Sequence, residues 1–160
     1  MATTVNIYVD SAATGAADGS SRANAYTALS AAIVAKRANI GTGDKIHEYL
    51  CYNTDATAVA ASNWTGYTTD ATRYVRISSP DGTYINTGTA TRLTTDEAGG
   101  APAYLRLYNL KFICTAAATC VYLNRVGIGI VVGVFIDRCL FKTAAGGYGL
   151  RLGTVGGDKL

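Results

Sequence analysis

The sequence predicts an all-β solenoid, in which short strands stack as successive coils behind a leading strand and one α-helix. Three observations carry this expectation. Beyond residue 44 the chain breaks into short strand-like runs separated by Gly, Thr, Asn, Asp and Ser. Hairpin signals are missing between these runs, with Asp81-Gly82 the lone exception, which argues against an antiparallel meander. Finally, RLYNLKFICTAAATCVYLNRV (Arg106 to Val126) lies without a gap over FIDRCLFKTAAGGYGLRLGTV (Phe135 to Val155), a shift of 141 − 112 = 29 positions. Phe112 then falls on Phe141, Ala116 on Ala145, Leu123 on Leu152 and Val126 on Val155. Such a period, with a small-residue bend in each copy, is what stacked coils produce; chance similarity between two β-rich segments is the alternative.

Composition sets the bounds. With 160 residues and 49% hydrophobic content, the chain is expected to form one domain, a cap over 1–44 continuous with coils over 45–160. Eighteen glycines, two prolines and 16% charged residues describe a loop-rich, β-leaning globular protein. The formal net charge of +3 is small and its arginines arrive singly, which argues against a nucleic-acid partner. MATTVNIYVD lacks the charged and apolar regions of a Sec signal. The longest apolar run, Ile128 to Ile136, is too short for a membrane helix, so no membrane insertion is expected. Cys51, Cys114, Cys120 and Cys139 form no CxxC pair, and with a single histidine they argue against a metal site. Buried free thiols are expected, with a Cys114–Cys120 bridge as the alternative.

Element by element, Val5 to Val9 alternates apolar and polar and reads as a strand. Small residues from Ser11 to Ser21 make a loop, with a turn at Asp18-Gly19. Thr27 is placed to cap a short helix whose face carries Leu29, Ala32, Ile33 and Lys36 and which closes near Asn39 or Gly41. Its narrow, alanine-rich stripe suits close packing over the end of a sheet. Strands are expected at Lys45 to Tyr52, Tyr74 to Ser78, Tyr104 to Leu107, Lys111 to Cys114, Val121 to Leu123, Ile128 to Ile136, Cys139 to Lys142 and Gly149 to Leu152.

The opening segments IYVD, TGAADGSS, AYTALSAAIVA and GDKIHEYLCY resemble, in order and spacing, the start of right-handed parallel β-helix proteins of the pectin-lyase-like type. WTGYTTDATRYVRISSP, YLRLYNLKFI and FIDRCLF are similar to coil strands of bacteriophage and prophage tail proteins. The resemblance implies a right-handed helix of coils whose first edge is covered by strand, loop and helix. It also implies a structural virion component, a stem or adaptor assembled in the host cytoplasm beside other virion proteins. A homo-oligomer, a trimer by analogy, is part of that expectation. At the other end, GLRLGTVGGDKL follows a strand with Leu150 and Leu152 and carries no second cap, so these leucines mark a candidate docking end.

No catalytic residue or cofactor is expected. The aspartate sets and GHG histidine of the polysaccharide lyases and hydrolases in that family have no counterpart here, and the one histidine, His47, reads as structural. Two carboxylates across a sugar site would be needed for glycosidase chemistry. Asp70, Asp81 and Asp96 sit in turn-like contexts, Asp96-Glu97 precedes a Gly-Gly loop, and Asp137 reads as a turn residue. The many tyrosines suit sugar stacking or an interface, and Trp64 and Tyr67, in ASNWTGYTT, are the candidate contact surface; the alternative is that they anchor a long loop. Two further readings stay open. One is a polysaccharide-binding or polysaccharide-degrading β-helix with its site outside this chain or between subunits; the other is a self-assembling extracellular filament subunit.

Overall fold

The computed structural model describes residues 2–37, 45–65, 69–96, 104–126 and 133–155. Its elements are β1 (Thr3–Asp10), α1 (Leu29–Lys36), β2 (Lys45–Tyr52), β3 (Thr54–Asp55), a 3-10 turn at Ala61–Trp64, β4 (Val75–Ser78), β5 (Ile85–Gly88), β6 (Leu93–Asp96), β7 (Leu105–Tyr108), β8 (Lys111–Cys114), β9 (Val121–Val126), β10 (Val134–Asp137), β11 (Leu140–Thr143) and β12 (Leu150–Val155). The protein is strand-dominated, with one α-helix among the described residues.

Three sheets share the strands. Sheet I runs β1-β2-β4-β7-β10, sheet II β3-β5-β8-β11 and sheet III β6-β9-β12. Every strand pairing is parallel. From β4 onward the chain visits sheets I, II and III in the same order on each circuit; β2, β3 and Val59, which bridges in parallel to Leu93, make an earlier one. The 29-position shift is the register of the last two circuits in all three sheets: Leu105 faces Val134, Lys111 faces Leu140 and Val121 faces Leu150. Phe112 and Phe141 stack at 6.0 Å between centroids with a 12° interplanar angle.

Alternation places the core inside. Leu105 and Leu107, Phe112 and Cys114, and Val121 and Leu123 are all buried, while Arg106, Tyr108 and Ile113 between them are half-exposed. Successive strands repeat the arrangement, so that Ile7, Tyr49, Ile77 and Leu107 occupy one register column inside sheet I.

At the leading end β1 pairs with β2 over its whole length, and the loop after β1 returns to cover its other edge. Tyr8 donates its N–H to the Gly19 carbonyl, Tyr26 to Tyr8, and Asp10 to Tyr26. Arg22 fixes that loop by an ion pair of 2.7 Å with Asp10 while lying 4.1 Å from the centroid of Tyr52. Burial pushes the Asp10 carboxyl up, but Arg22 and Asn53 outweigh it and hold the group below the usual range. Helix α1 buries Leu29, Ala32 and Ile33, the stripe expected, against β1, β2 and the 3-10 turn.

Its cap differs from expectation. Ala28 occupies the N-cap position with no side-chain bond, so Thr27 does not cap the helix. Asp55, from β3, accepts the Leu29 N–H at 2.9 Å instead. A remote carboxylate thus satisfies one of the orphan donors of the first turn. The expected closure near Asn39 or Gly41 lies outside the described residues.

Three strands were not expected: β3, β5 and β6, of sequence TD, INTG and LTTD. Asp81-Gly82 forms no hairpin; it sits in the bend from Ser79 to Tyr84 that passes the chain from β4 in sheet I to β5 in sheet II. Of the apolar run Ile128 to Ile136, residues 128–132 lie outside the described residues, and β10 starts at Val134. The four cysteines are free thiols, so no Cys114–Cys120 bridge exists; Cys51, Cys114 and Cys120 are buried. Burial pushes the Cys120 thiol up to about 11.

Candidate functional site

Three places gather polar or exposed apolar side chains in a way that packing alone does not require. The first is interior. Arg92, 3% exposed, donates to Asn86 Oδ1 at 2.8 Å and to the Ala56 carbonyl at 2.5 Å. Asn86 Nδ2 reaches the Thr57 carbonyl and the Tyr84 hydroxyl, and that hydroxyl donates to Asp55 Oδ2 at 3.1 Å. Gly88 leaves the room in which the Arg92 guanidinium lies, since a Cβ there would collide with it. A buried cation and a buried anion are therefore joined through two neutral groups, and the chain ends on the first turn of α1. Each charge is costly to bury alone, so this network fixes how β3, β5 and the helix meet. Its members Asp55, Tyr84, Asn86 and Arg92 are all buried, and it reads as structural.

The second place is the far side of the last circuit. Strands β10, β11 and β12 each stand at the edge of their sheet, with no neighbour on that side among the described residues. Phe135, Leu140, Leu150 and Leu152 are exposed there, Leu140 at 49% and Leu152 at 50%. The candidate docking residues Leu150 and Leu152 thus belong to one edge strand, paired on its inner side with Val121 and Leu123.

The third is the outer face of sheet I. Glu48, Arg76, Arg106 and Phe135 follow one another in register across β2, β4, β7 and β10. Arg76 reaches Glu48 at 3.4 Å and the Tyr74 hydroxyl at 3.5 Å, yet its buried Nε has no partner. The Arg106 guanidinium lies over the Tyr74 ring, 3.7 Å from its centroid, and no carboxylate among the described residues pairs with it. Tyr108 packs against Phe135 at 5.4 Å. Between them opens a groove of about 360 Å³ lined by Ala71, Tyr104, Arg106, Tyr108, Val134 and Phe135. Gly133, at φ +83°, forms its floor, because a Cβ there would strike the Tyr104 ring.

The other sequence candidates are scattered. Trp64 is fully buried and donates its indole N–H to the Thr94 carbonyl at 2.9 Å, so it anchors the 3-10 turn and does not stand on a contact surface. Tyr67 lies outside the described residues, as does Glu97. Asp70 accepts from Thr72 and from Arg73, whose guanidinium holds its carboxyl well below the usual range. Asp81 binds the Thr83 N–H and hydroxyl in its own turn, and Asp137 lies 3.3 Å from the neighbouring Arg138. Asp70 and Asp81 therefore serve local turns. His47 is buried at 1% exposure in β2, and burial, then Lys45, lowers its pKa to about 4.

The arginine column escaped sequence reasoning, which treated the arginines as isolated. Only the step of 30 positions between Val75 and Leu105 brings Arg76 beside Arg106, and no repeat of that length is visible in the residues. Family models, curated proteins and solved structures were each compared with the chain, and none matches it.

Proposed function

We propose that the chain is a right-handed parallel β-helix acting as a non-enzymatic structural module of a homo-oligomer, in which the last circuit is a docking surface. The cyclic visiting order of the three parallel sheets supports the helix. Its hand follows from the strong preference for right-handed crossovers between parallel strands of one sheet, which each circuit makes on returning to sheet I. One observation carries the docking reading: three strand edges with no neighbour among the described residues coincide with exposed Leu140, Leu150 and Leu152. Such an edge templates further strands unless something covers it, and its apolar side chains add a driving force.

The sequence resemblance to phage and prophage tail proteins gives the module its proposed setting, a stem or adaptor segment of a virion tail assembled in the host cytoplasm. Three-fold symmetry is the form that resemblance favours. Light scattering coupled to size-exclusion chromatography is the test. The wild-type chain is expected to elute as a trimer or larger assembly at micromolar concentration. Leu150→Lys with Leu152→Lys, both at exposed positions, should shift the mass toward the monomer while the far-UV circular dichroism is unchanged. A wild-type monomer across the concentration range would sink the proposal.

A further inference from the structure

Apart from the docking surface of the last circuit, we propose that the outer face of sheet I is a second contact between copies, a two-fold pairing in which Arg106 meets the partner's Asp137 while Tyr108 and Phe135 meet their own counterparts. Register builds the site. Leu105 and Leu107 face Val134 and Ile136 on the inner side of β7 and β10, so Arg106 and Tyr108 face Phe135 and Asp137 on the outer side. These four residues form a block with a cation and an anion on one diagonal and two aromatic rings on the other. Strands about 4.8 Å apart, with about 6.6 Å between alternate residues, set its proportions. A two-fold axis lying along the Tyr108–Phe135 diagonal, in the plane of the contact, exchanges the other two corners. Arg106 of each copy then stands over the partner's Asp137, and the rings stack on the axis between the two ion pairs. The same geometry makes the strands of the two copies cross at about 70°, nearer the orthogonal than the aligned class of sheet packing.

Charge selects the occupant. Arg106 lies over Tyr74 and has no carboxylate partner among the described residues. The Asp137 side chain is 41% exposed, and its ion pair with the adjacent Arg138 is itself exposed, which leaves it weakly held. A purely acidic partner would meet Asp137 and a purely basic one Arg106, whereas a second copy presents the reflected pattern and satisfies both. Composition agrees. Strands β4, β7 and β10 together carry Arg76, Arg106, Tyr108 and Phe135 outward and no lysine, the bias of protein interfaces, whereas β8 and β11 of sheet II carry Lys111 and Lys142. Phe135, 51% exposed, packs against Tyr108 at 5.4 Å between centroids, so the aromatic diagonal is already assembled. The groove of about 360 Å³ beside Arg106 gives the partner's carboxylate room to approach.

The test is mass by light scattering after size exclusion, run on the Leu150→Lys with Leu152→Lys chain so that the end contact is removed. A dimer is expected at micromolar concentration. Arg106→Asp and Asp137→Arg should each weaken it by about tenfold or more, since the symmetry puts one substitution into both ion pairs. Combining the two should restore the dimer, with far-UV circular dichroism unchanged throughout. The same reversals in the wild-type chain should lower the assembly mass, and the combination should recover it. A wild-type chain and an end variant of equal dimeric mass, both split by Arg106→Asp, would sink end-on docking and support this contact. A folded but monomeric end variant, a single reversal that leaves the dimer intact, or a combined variant that folds yet stays monomeric would each overturn it.

Discussion

At the scale of single residues, the buried titratable groups show how the interior is chosen. His47 faces inward between Val5 and Val75, its register partners in β1 and β4. Burial there favours the neutral ring, with Lys45 and Lys36 adding repulsion, and the pKa falls to about 4 from 6.5. The unfolded chain therefore takes up the proton first on acidification. Stability from this group is complete above pH 6.5 and drains away as the pH falls toward 4. We expect the melting temperature to decline between pH 6.5 and 5, above the range where most carboxylates titrate, and His47→Gln to flatten that part of the curve. Calorimetry over this window decides it; an equally steep decline in the variant would assign the effect elsewhere. Sequence reasoning read His47 as structural from its place on the first predicted strand, near the cap and away from the middle coils. The same reasoning offered Trp64 as a contact residue with a loop anchor as the alternative; the anchor is what the structure shows, and nothing in that loop reveals the sheet III carbonyl that its indole reaches.

At the scale of elements, the turns explain what was legible. Between sheets I and II the last two circuits use two residues, Asn109-Leu110 and Arg138-Cys139, and both first residues are left-handed, at φ 54° and 50°. Equal turns in equal places give one constant offset, so the 29-position repeat stood out in the residues. Earlier circuits lack that constancy: His47 to Val75 is a step of 28, Thr54 to Ile85 of 31 and Ile85 to Lys111 of 26. Variable bends hide the repeat, and β3, β5 and β6 are too polar to announce themselves by alternation. Their strand state comes from the parallel ladders they join, on both sides for β5 and on one side for β3 and β6, and from Asn86 and Thr95 being buried. The turn comparison makes a prediction. Asn tolerates the left-handed region, as Asn53 and Asn109 do here, whereas Arg138 adopts it at a cost of about 1 kcal/mol. Its exposed pairing with Asp137 offsets little of that. Arg138→Asn should raise the melting temperature by a few degrees, for about 1 kcal/mol in a domain of this size. A lowered one would mean that the Asp137 contact outweighs the backbone strain.

At the scale of the whole molecule, every described strand pairs only with the strands before and after it in its sheet. The two ends differ: one is sealed by the returning loop and by α1, whose first turn is tied to the interior by Asp55, and the other presents β10, β11 and β12. Sequence reasoning read the leading segment as a cap because its helix has its own period, but the arginine face of sheet I emerges only when registers are known. Nearest-neighbour stacking also means that opening need not be all-or-none. Circuits should unzip from the β12 end, so amide hydrogens should exchange fastest in β11 and β12 and slowest in β2 and β4, as a gradient along the stack. Anything seated on the edges of β10, β11 and β12 removes the place where unzipping starts, and its arrival should be felt as slowed exchange several circuits away from the contact.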